Sequence, residues 1–284
     1  MKPAAFDYFR PASLSEALAL LAKYKDGCKI LAGGQSLVPA MNFRLARPEI
    51  LIDINDLSEL DYVRTDDDGL HIGALTRHAA FHRRVVDGPL GRLLSKVASH
   101  IAHYPIRQRG TFAGSLAHAD PASEWCLVVT TLNAGVVAKS TRGERIIAIS
   151  DFFNGTFSTD LEADELLAEI RLPAMADGWR TGFYEFSRRA GDFALGMALA
   201  TLRIEAGVIK EARLGIGGVS DRAIRLEALE DWLIGRPASQ EVIETVAQKA
   251  WASIDPVGDI HASAEYRRDL IAACVKRALA EAAA

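Results

Sequence analysis

Apolar positions recur along the chain in a helical and an alternating rhythm, and their order sketches most of the fold. Leu14, Ala17, Leu18 and Leu21 share one helical face. Ser13-Leu14-Ser15-Glu16 reads as a capping box, with Ser13 as N-cap and Glu16 reaching back. Asp26-Gly27 ends that helix, and Cys28 to Ala32 and Glu49 to Ile54 follow as short apolar strands. Leu70 to Leu75 reads as a strand, Thr76 as the cap of a helix through Val86, and Leu90 to Ala102 as another helix. Asp120-Pro121 has the form of an N-cap and first helical residue, where proline's missing amide costs nothing. Ala134 to Lys139 and Arg145 to Ile149 flank Thr141-Arg142-Gly143-Glu144 as a hairpin, and Leu166 to Leu172 is a strand that stops at Pro173.

The pattern changes at Pro173 to Gly178, which reads as a linker. Thr181 to Ser187, Gly196 to Glu205 and Ile209 to Gly217 are predicted antiparallel strands, the last two turned by Ala206-Gly207. Helices follow at Arg225 to Ile234, Gln240 to Ser253 and Ala264 to Ala282. The expected fold is α+β: a first domain over 1–175, in subdomains of about 1–57 and 58–175, and a C-terminal domain over 178–284 with a three-stranded antiparallel sheet and helices. A chain of 284 residues is long enough to give each domain its own core.

Composition narrows the class. Hydrophobic residues at 49% and charged residues at 25% describe an ordinary globular protein, and a net charge of −4 leaves no footprint for nucleic acid. Cys28, Cys126 and Cys274 match no metal or iron–sulfur spacing and read as small buried residues of a reducing compartment. Met1 to Asp7 has no secretory h-region, and no apolar run is long enough for an integral membrane segment. The expected location is cytoplasmic.

The chemistry lies in two glycine-bearing loops about seventy-five residues apart: Lys29-Ile30-Leu31-Ala32-Gly33-Gly34-Gln35-Ser36-Leu37, and Arg109-Gly110-Thr111-Phe112-Ala113-Gly114-Ser115-Leu116-Ala117-His118-Ala119-Asp120-Pro121. Glycines let a backbone approach a ligand, successive amides form a nest for anions, and hydroxyls add donors. Alone, each loop reads equally as a tight turn. Two nests facing one cleft suit a pyrophosphate and point to a dinucleotide. A Rossmann unit is unlike this pattern: the G-x-G-x-x-G spacing is absent, no helix is expected directly at the first glycines, and Pro39 follows soon after. Gly34-Gln35-Ser36-Leu37-Val38 lacks the last glycine of a nucleophile elbow. Gly215-Ile216-Gly217-Gly218 comes too late for a βαβ unit and reads as structural. His78 with His82, and His100 with His103, have ligand-like spacings but no further ligands beside them. Arg107 and Arg109 face the cofactor phosphates, a partner or solvent.

Three blocks carry a family resemblance: Ala32-Gly33-Gly34-Gln35-Ser36-Leu37, Thr111 to Pro121, and Arg188-Arg189-Ala190-Gly191-Asp192-Phe193-Ala194. Gly217-Gly218-Val219-Ser220 and Asp259 to Arg268 add to it. In order and spacing the chain resembles the FAD-binding medium subunit of the molybdenum hydroxylases, the xanthine dehydrogenase and aerobic carbon monoxide dehydrogenase type. The resemblance implies a two-subdomain FAD-binding fold of the vanillyl-alcohol-oxidase type. It implies that Ala32, Gly33, Gly34, Gln35 and Ser36, with Thr111, Ala113, Gly114 and Ser115, hold the pyrophosphate and adjoining ribityl chain, with Lys29, Leu31 and Leu37 flanking them. Asp120 and Glu124 match an acidic segment at the FAD, Leu167 an apolar contact, Ile101 a position lining the flavin, and Phe193, beside Asp192, an aromatic next to the isoalloxazine. No catalytic acid, base or metal ligand is expected in this chain.

Three residues depart from the usual pattern. Ala113 replaces a glycine, Phe193 lacks the hydroxyl of a tyrosine, and Gln35 stands where many relatives have histidine. A branched side chain at Gly33 or Gly114 is expected to occupy space meant for the pyrophosphate. The implied function is an electron-transfer subunit of a heterotrimer, in which a large subunit carries molybdopterin and a small one carries two [2Fe-2S] clusters, as a dimer of heterotrimers. A self-contained FAD oxidoreductase and a cofactor-free scaffold are the alternatives.

Overall fold

The computed structural model describes residues 1–284. It opens with a three-stranded parallel sheet in which Ile50–Asp53 lies between Asp7–Phe9 and Cys28–Leu31. The middle strand is buried throughout, as parallel strands covered on both faces are. Helix Leu14–Tyr24 joins the first two strands and lays Ala17 and Leu21 on the core. Its cap differs from the expected box by one residue. Ser13 Oγ accepts the Glu16 amide at 3.2 Å, but the Glu16 carboxylate takes the amide of Ala12, at 2.8 Å, and not that of Ser13.

A five-stranded antiparallel sheet follows, in the order Val63–Asp66, Gly69–Gly73, Leu166–Pro173, Gly135–Ser140, Gly143–Ala148. The last two strands form the expected hairpin. Helices Phe112–His118 and Glu124–Leu132 pack on this sheet, and Gly88–His100 lies beside the latter. Between them Phe81, Phe112 and Trp125 make a buried aromatic cluster, with Phe112 and Trp125 stacked at 4.4 Å between centroids.

Two expected helix starts move. The Thr76 hydroxyl donates to the Tyr62 carbonyl at 2.7 Å, and only a short 3-10 turn, His78–His82, follows it. Asp120 does not cap a helix either: its Oδ1 accepts the Ala122 amide at 2.9 Å in a local turn, and Ser123 caps Glu124–Leu132.

Residues 174–178 lead into the second antiparallel sheet, Trp179–Phe186, Gly196–Glu205 and Val208–Gly217. Ala206 at φ +48° and Gly207 at +78° make its two-residue hairpin turn, both left-handed as the strand twist demands. The expected three-stranded sheet gains a fourth, two-residue strand, Ile224–Arg225, which takes the start of the expected helix; that helix runs Glu227–Leu233. Helices Gln240–Ser253 and Ala264–Ala283 close a second core over this sheet. No helix is long and apolar enough to cross a membrane.

The first core continues across the boundary, since Phe183, Ala194, Met197 and Leu199 belong to it. Close approach makes this docking possible. A side chain on Gly215 would overlap Thr131, the Gly218 amide donates to the Pro121 carbonyl at 2.9 Å, and Arg213 donates to the Leu132 carbonyl at 2.7 Å. The late glycine-rich segment is therefore a packing surface. Gly182 plays the same part against the last helix, where an added Cβ would overlap the Ala278 carbonyl. Gly182→Ala is expected to cost about 1–3 kcal/mol by overpacking. Denaturant unfolding measures it, and an unchanged midpoint contradicts this helix placement.

Candidate cofactor site

The first glycine loop leaves the carboxyl end of the parallel strand Cys28–Leu31, the end at which α/β sheets receive ligands. Contrary to expectation, a short helix does open beyond it, Leu37–Asn42, with Pro39 in its first turn, where the ring is tolerated. Gly34 has φ +71°, which turns the chain between strand and helix. The amides of Gly33, Gly34, Gln35, Ser36 and Leu37 donate to no group of the chain, and these residues are half-buried or exposed. Five consecutive free donors in a turn are a nest for an anion. The Gln35 side chain is spent on the Gly33 carbonyl at 3.0 Å, so it braces the loop.

The second loop approaches the first directly. A Cβ on Gly33 would lie 2.5 Å from the Arg109 carbonyl oxygen and 2.7 Å from Gly110 Cα. Gly33 is therefore a glycine because the second loop fills the space beside it, which replaces the expectation that the pyrophosphate does. At Gly114 the neighbour is likewise protein, the Thr111 hydroxyl. Thr111 is the N-cap of Phe112–His118, its Oγ1 accepting the Gly114 amide at 3.0 Å. Ala113 sits in the first turn of that helix and needs no glycine dihedral, so its Cβ is accommodated. The second loop thus offers fewer free donors than the first. Phe112 and Ser115 spend their amides on Thr76 and Thr111 carbonyls, leaving the amides of Thr111 and Ala113 and the half-buried Ser115 hydroxyl.

Two residues that sequence patterns missed tie the loops together. Arg77 donates to the Arg109 carbonyl and to Asn55 Oδ1, both at 2.6 Å, and Asn55 donates to the Ala32 carbonyl at 2.9 Å. One guanidinium so spans both loops. Asn55 is in turn fixed by Asp53, whose carboxyl also accepts from Tyr8. Burial opposes ionisation of Asp53, but the bonds from Tyr8 and Asn55 win and hold it below the usual carboxylate range. The only sequence trace of this brace is the polar run Asp53-Ile54-Asn55-Asp56 leaving a strand.

The remaining expected residues form a second group. Ile101 is buried, and its carbonyl and that of Ala102 accept from Arg107, which also donates to His82. Arg107 is therefore used within the protein, and His82 is its acceptor. The Arg188–Phe193 loop meets this corner through Gly191, where a Cβ would touch His103 Nδ1 at 2.6 Å. Asp192 is half-buried, its amide on the Arg189 carbonyl, while Phe193 stands 74% exposed. Asp120 and Glu124 lie half-buried at the entry to Glu124–Leu132. Leu167 is buried at a bulge of its strand, which packs against Phe112–His118. Lys29 is exposed on the strand before the first loop, and Leu31 is half-buried at its end.

The donor set fits FAD: the consecutive free amides from Gly33 to Leu37 suit a diphosphate. Residues 4–175 match the FAD binding domain in molybdopterin dehydrogenase, and residues 181–282 match the CO dehydrogenase flavoprotein C-terminal domain. The chain belongs to the FAD-binding medium subunits of the molybdenum hydroxylases. Caffeine dehydrogenase subunit beta of Pseudomonas sp. (strain CBB1) is 43% identical over 100% of this chain and 96% of its own length. The 6-hydroxypseudooxynicotine dehydrogenase complex subunit alpha of Paenarthrobacter nicotinovorans is 42% identical, over 99% and 96%. Among solved structures, carbon monoxide dehydrogenase from Hydrogenophaga pseudoflava superposes with a TM-score of 0.95 at 35% identity, covering 99% of this chain and 98% of that one. Quinoline 2-oxidoreductase from Pseudomonas putida 86 gives 0.93 at 37% identity, covering 100% and 98%. The medium subunit is thus a flavoprotein oxidoreductase component of a multi-subunit complex, and molybdopterin and [2Fe-2S] clusters belong to the family's partner subunits.

Behind the second loop His78 is buried, its Nδ1 accepting from Trp125 Nε1 at 3.0 Å and its amide donating to the Gly110 carbonyl at 2.9 Å. Burial first, then Arg107 and Arg77, push its pKa down to about 4. The unfolded chain binds this proton near pH 6.5 and the folded chain does not, so stability is complete above that value and falls as pH drops towards 4. The loss is at most roughly 3 kcal/mol. His78→Gln is expected to flatten this part of the stability–pH curve, and an unchanged slope in the variant assigns it elsewhere.

Proposed function

We propose that this medium subunit takes electrons from the [2Fe-2S] clusters of a small partner subunit and passes them to an external acceptor. Its complex is a cytoplasmic dimer of heterotrimers with a large molybdopterin subunit, whose pocket selects the substrate. Residues 1–175 are the FAD-binding domain and 178–284 the C-terminal domain. The observation that carries this reading is the row of free amides from Gly33 to Leu37, held against the second loop.

Bound FAD supplies the conversion between single electrons and pairs. The chain binds and orients it. Ala32, Gly33, Gly34, Gln35, Ser36 and Leu37 present backbone donors to the pyrophosphate, and Thr111, Ala113, Gly114 and Ser115 close the cradle from the other side. Lys29 adds positive charge, and Leu31 packs under the loop. Ile101 and Leu167 bound the ring end with apolar surface, Asp120 and Glu124 place carboxyls there, and Asp192 sets the loop that carries Phe193. Phe193 has no hydroxyl, so it shields or stacks without donating a hydrogen bond.

Gly33→Val is expected to push the two loops apart and leave a folded chain depleted of flavin, read as the absorbance of FAD released on denaturation. Full flavin content in this variant contradicts the cradle. Phe193→Ala is expected to retain FAD but change its spectrum or its oxidation rate by the acceptor, and identity with the parent in both moves Phe193 away from the ring. The division of labour is tested in the reconstituted complex. Substrate of the large subunit should bleach the flavin only when the small subunit is present; turnover by this chain alone would make it an independent oxidoreductase.

A further inference from the structure

The C-terminal sheet turns one face to the first domain, and the end of that face nearest the linker is not filled. Strand register places Thr181, Thr201 and Arg213 side by side, with Trp179, Arg203 and Glu211 in the next row of the same face. Further along this face Phe183 and Leu199 pack into the first core. Near the linker a cleft of about 200 Å³ opens instead, between the sheet, Leu132 of the first domain and residues 173–176. Sites for larger ligands run to roughly 300–1,000 Å³, so this one suits a small molecule. Leu132 ends helix Glu124–Leu132, and about 12 Å of helix separates it from the Glu124 end.

Two polar side chains lining this cleft are short of partners. Thr201 is fully buried, and its hydroxyl makes no hydrogen bond. Arg213 is half-buried, with its guanidinium 5.7 Å from the centre of the Trp179 ring. Its Nη1 donates to the Leu132 carbonyl, whereas Nε and Nη2 donate to no group of the chain. The carboxylates whose charge reaches it are spent on other arginines. Glu211 lies 2.7 Å from Arg203 and Glu230 lies 2.6 Å from Arg225, which leaves Arg213 without an ion pair. Burial, and then the charge of Arg225, weigh against the Arg213 cation more than the two carboxylates favour it. In the linker wall the amides of Ala174, Met175 and Ala176 also have no acceptor in the chain. A half-buried cation without a counter-charge, beside a buried hydroxyl without an acceptor, is an arrangement that an anion completes.

We propose that the cleft between the two domains binds a small monocarboxylate, held by Arg213 and Thr201. The Nε and Nη2 edge of a guanidinium is the fork that meets both oxygens of a carboxylate, and at Arg213 that edge is the free one. The Thr201 hydroxyl, the neighbouring position in the ladder, donates to the same anion. Pro173 and Met175 offer the rest of the molecule an apolar wall. One negative charge matches the one unpaired cation, and Glu211, also in the lining, repels a second. The ligand would touch the first domain, the linker and the C-terminal sheet at once, and so staple their joint. This site is separate from the flavin cradle and does not depend on it.

The test titrates benzoate, and benzamide as its neutral counterpart, into the full-length FAD-loaded chain by calorimetry. One saturable benzoate site is expected, with benzamide weaker by about tenfold because the charged hydrogen bonds are lost. The visible flavin spectrum should stay unchanged during the titration. Arg213→Gln should weaken benzoate by about tenfold and Thr201→Val by about threefold. Glu211→Gln removes a competing negative charge from an exposed side chain and should tighten benzoate, which keeps the test decisive if Arg213→Gln fails to fold. Absence of saturable binding, equal binding of benzamide, or an affinity unchanged in both Thr201→Val and Glu211→Gln overturns the site. Benzoate that shifts the flavin spectrum is bound at the cofactor, and that overturns it too.

Discussion

Two stretches of backbone from distant parts of the chain touch at Gly33, and the site is built outward from that contact. Any side chain there would meet the Arg109 carbonyl, so the loops reach one another only through a residue without Cβ. Arg77 then spans the joint, with Asn55 carrying the connection to the Ala32 carbonyl. With the second loop pressed on one side and a helix opening on the other, the amides from Gly33 to Leu37 are left without protein acceptors. Unsatisfied donors of this kind are stable only where solvent or a ligand meets them.

What holds the second loop is deeper. Trp125 and His78 form a buried hydrogen bond beneath it, and the aromatic cluster of Phe81, Phe112 and Trp125 fixes the helix that the loop caps. The same core runs on into Phe183, Met197 and Leu199 of the following domain. The C-terminal sheet therefore supports the cradle as well as supplying the Arg188–Phe193 loop. Gly215 lets it come close to Thr131, and the Gly218 amide donates to the Pro121 carbonyl, which is why a segment that resembles a nucleotide fingerprint serves packing.

Much of this was legible in the sequence because it is local. The helix patterns at Leu14–Tyr24, Gln240–Ser253 and Ala264–Ala283, the Ala206-Gly207 turn and the hairpin around Thr141 follow from spacing and turn chemistry alone. Cap positions were less legible, because several small polar residues compete for each start. Asp120 yielded to Ser123, Thr76 turned its hydroxyl to Tyr62, and Thr111 capped a helix that the glycine-rich string concealed. Pro39 suggested a break and instead took a place in a first turn. The family blocks marked both loops but not what joins them. Arg77 and Asn55 act through partners far away in the chain, and no periodicity records a contact of that range.

One anion is expected to engage both loops together. Titrating isotope-labelled, flavin-free chain with ADP, which carries the diphosphate without the ring, and following the backbone amides by NMR tests it most directly. The resonances of Gly33 to Leu37 and those of Thr111 and Ala113 should shift along a single saturation curve. Shifts confined to one loop, or curves with separate midpoints, would contradict the account.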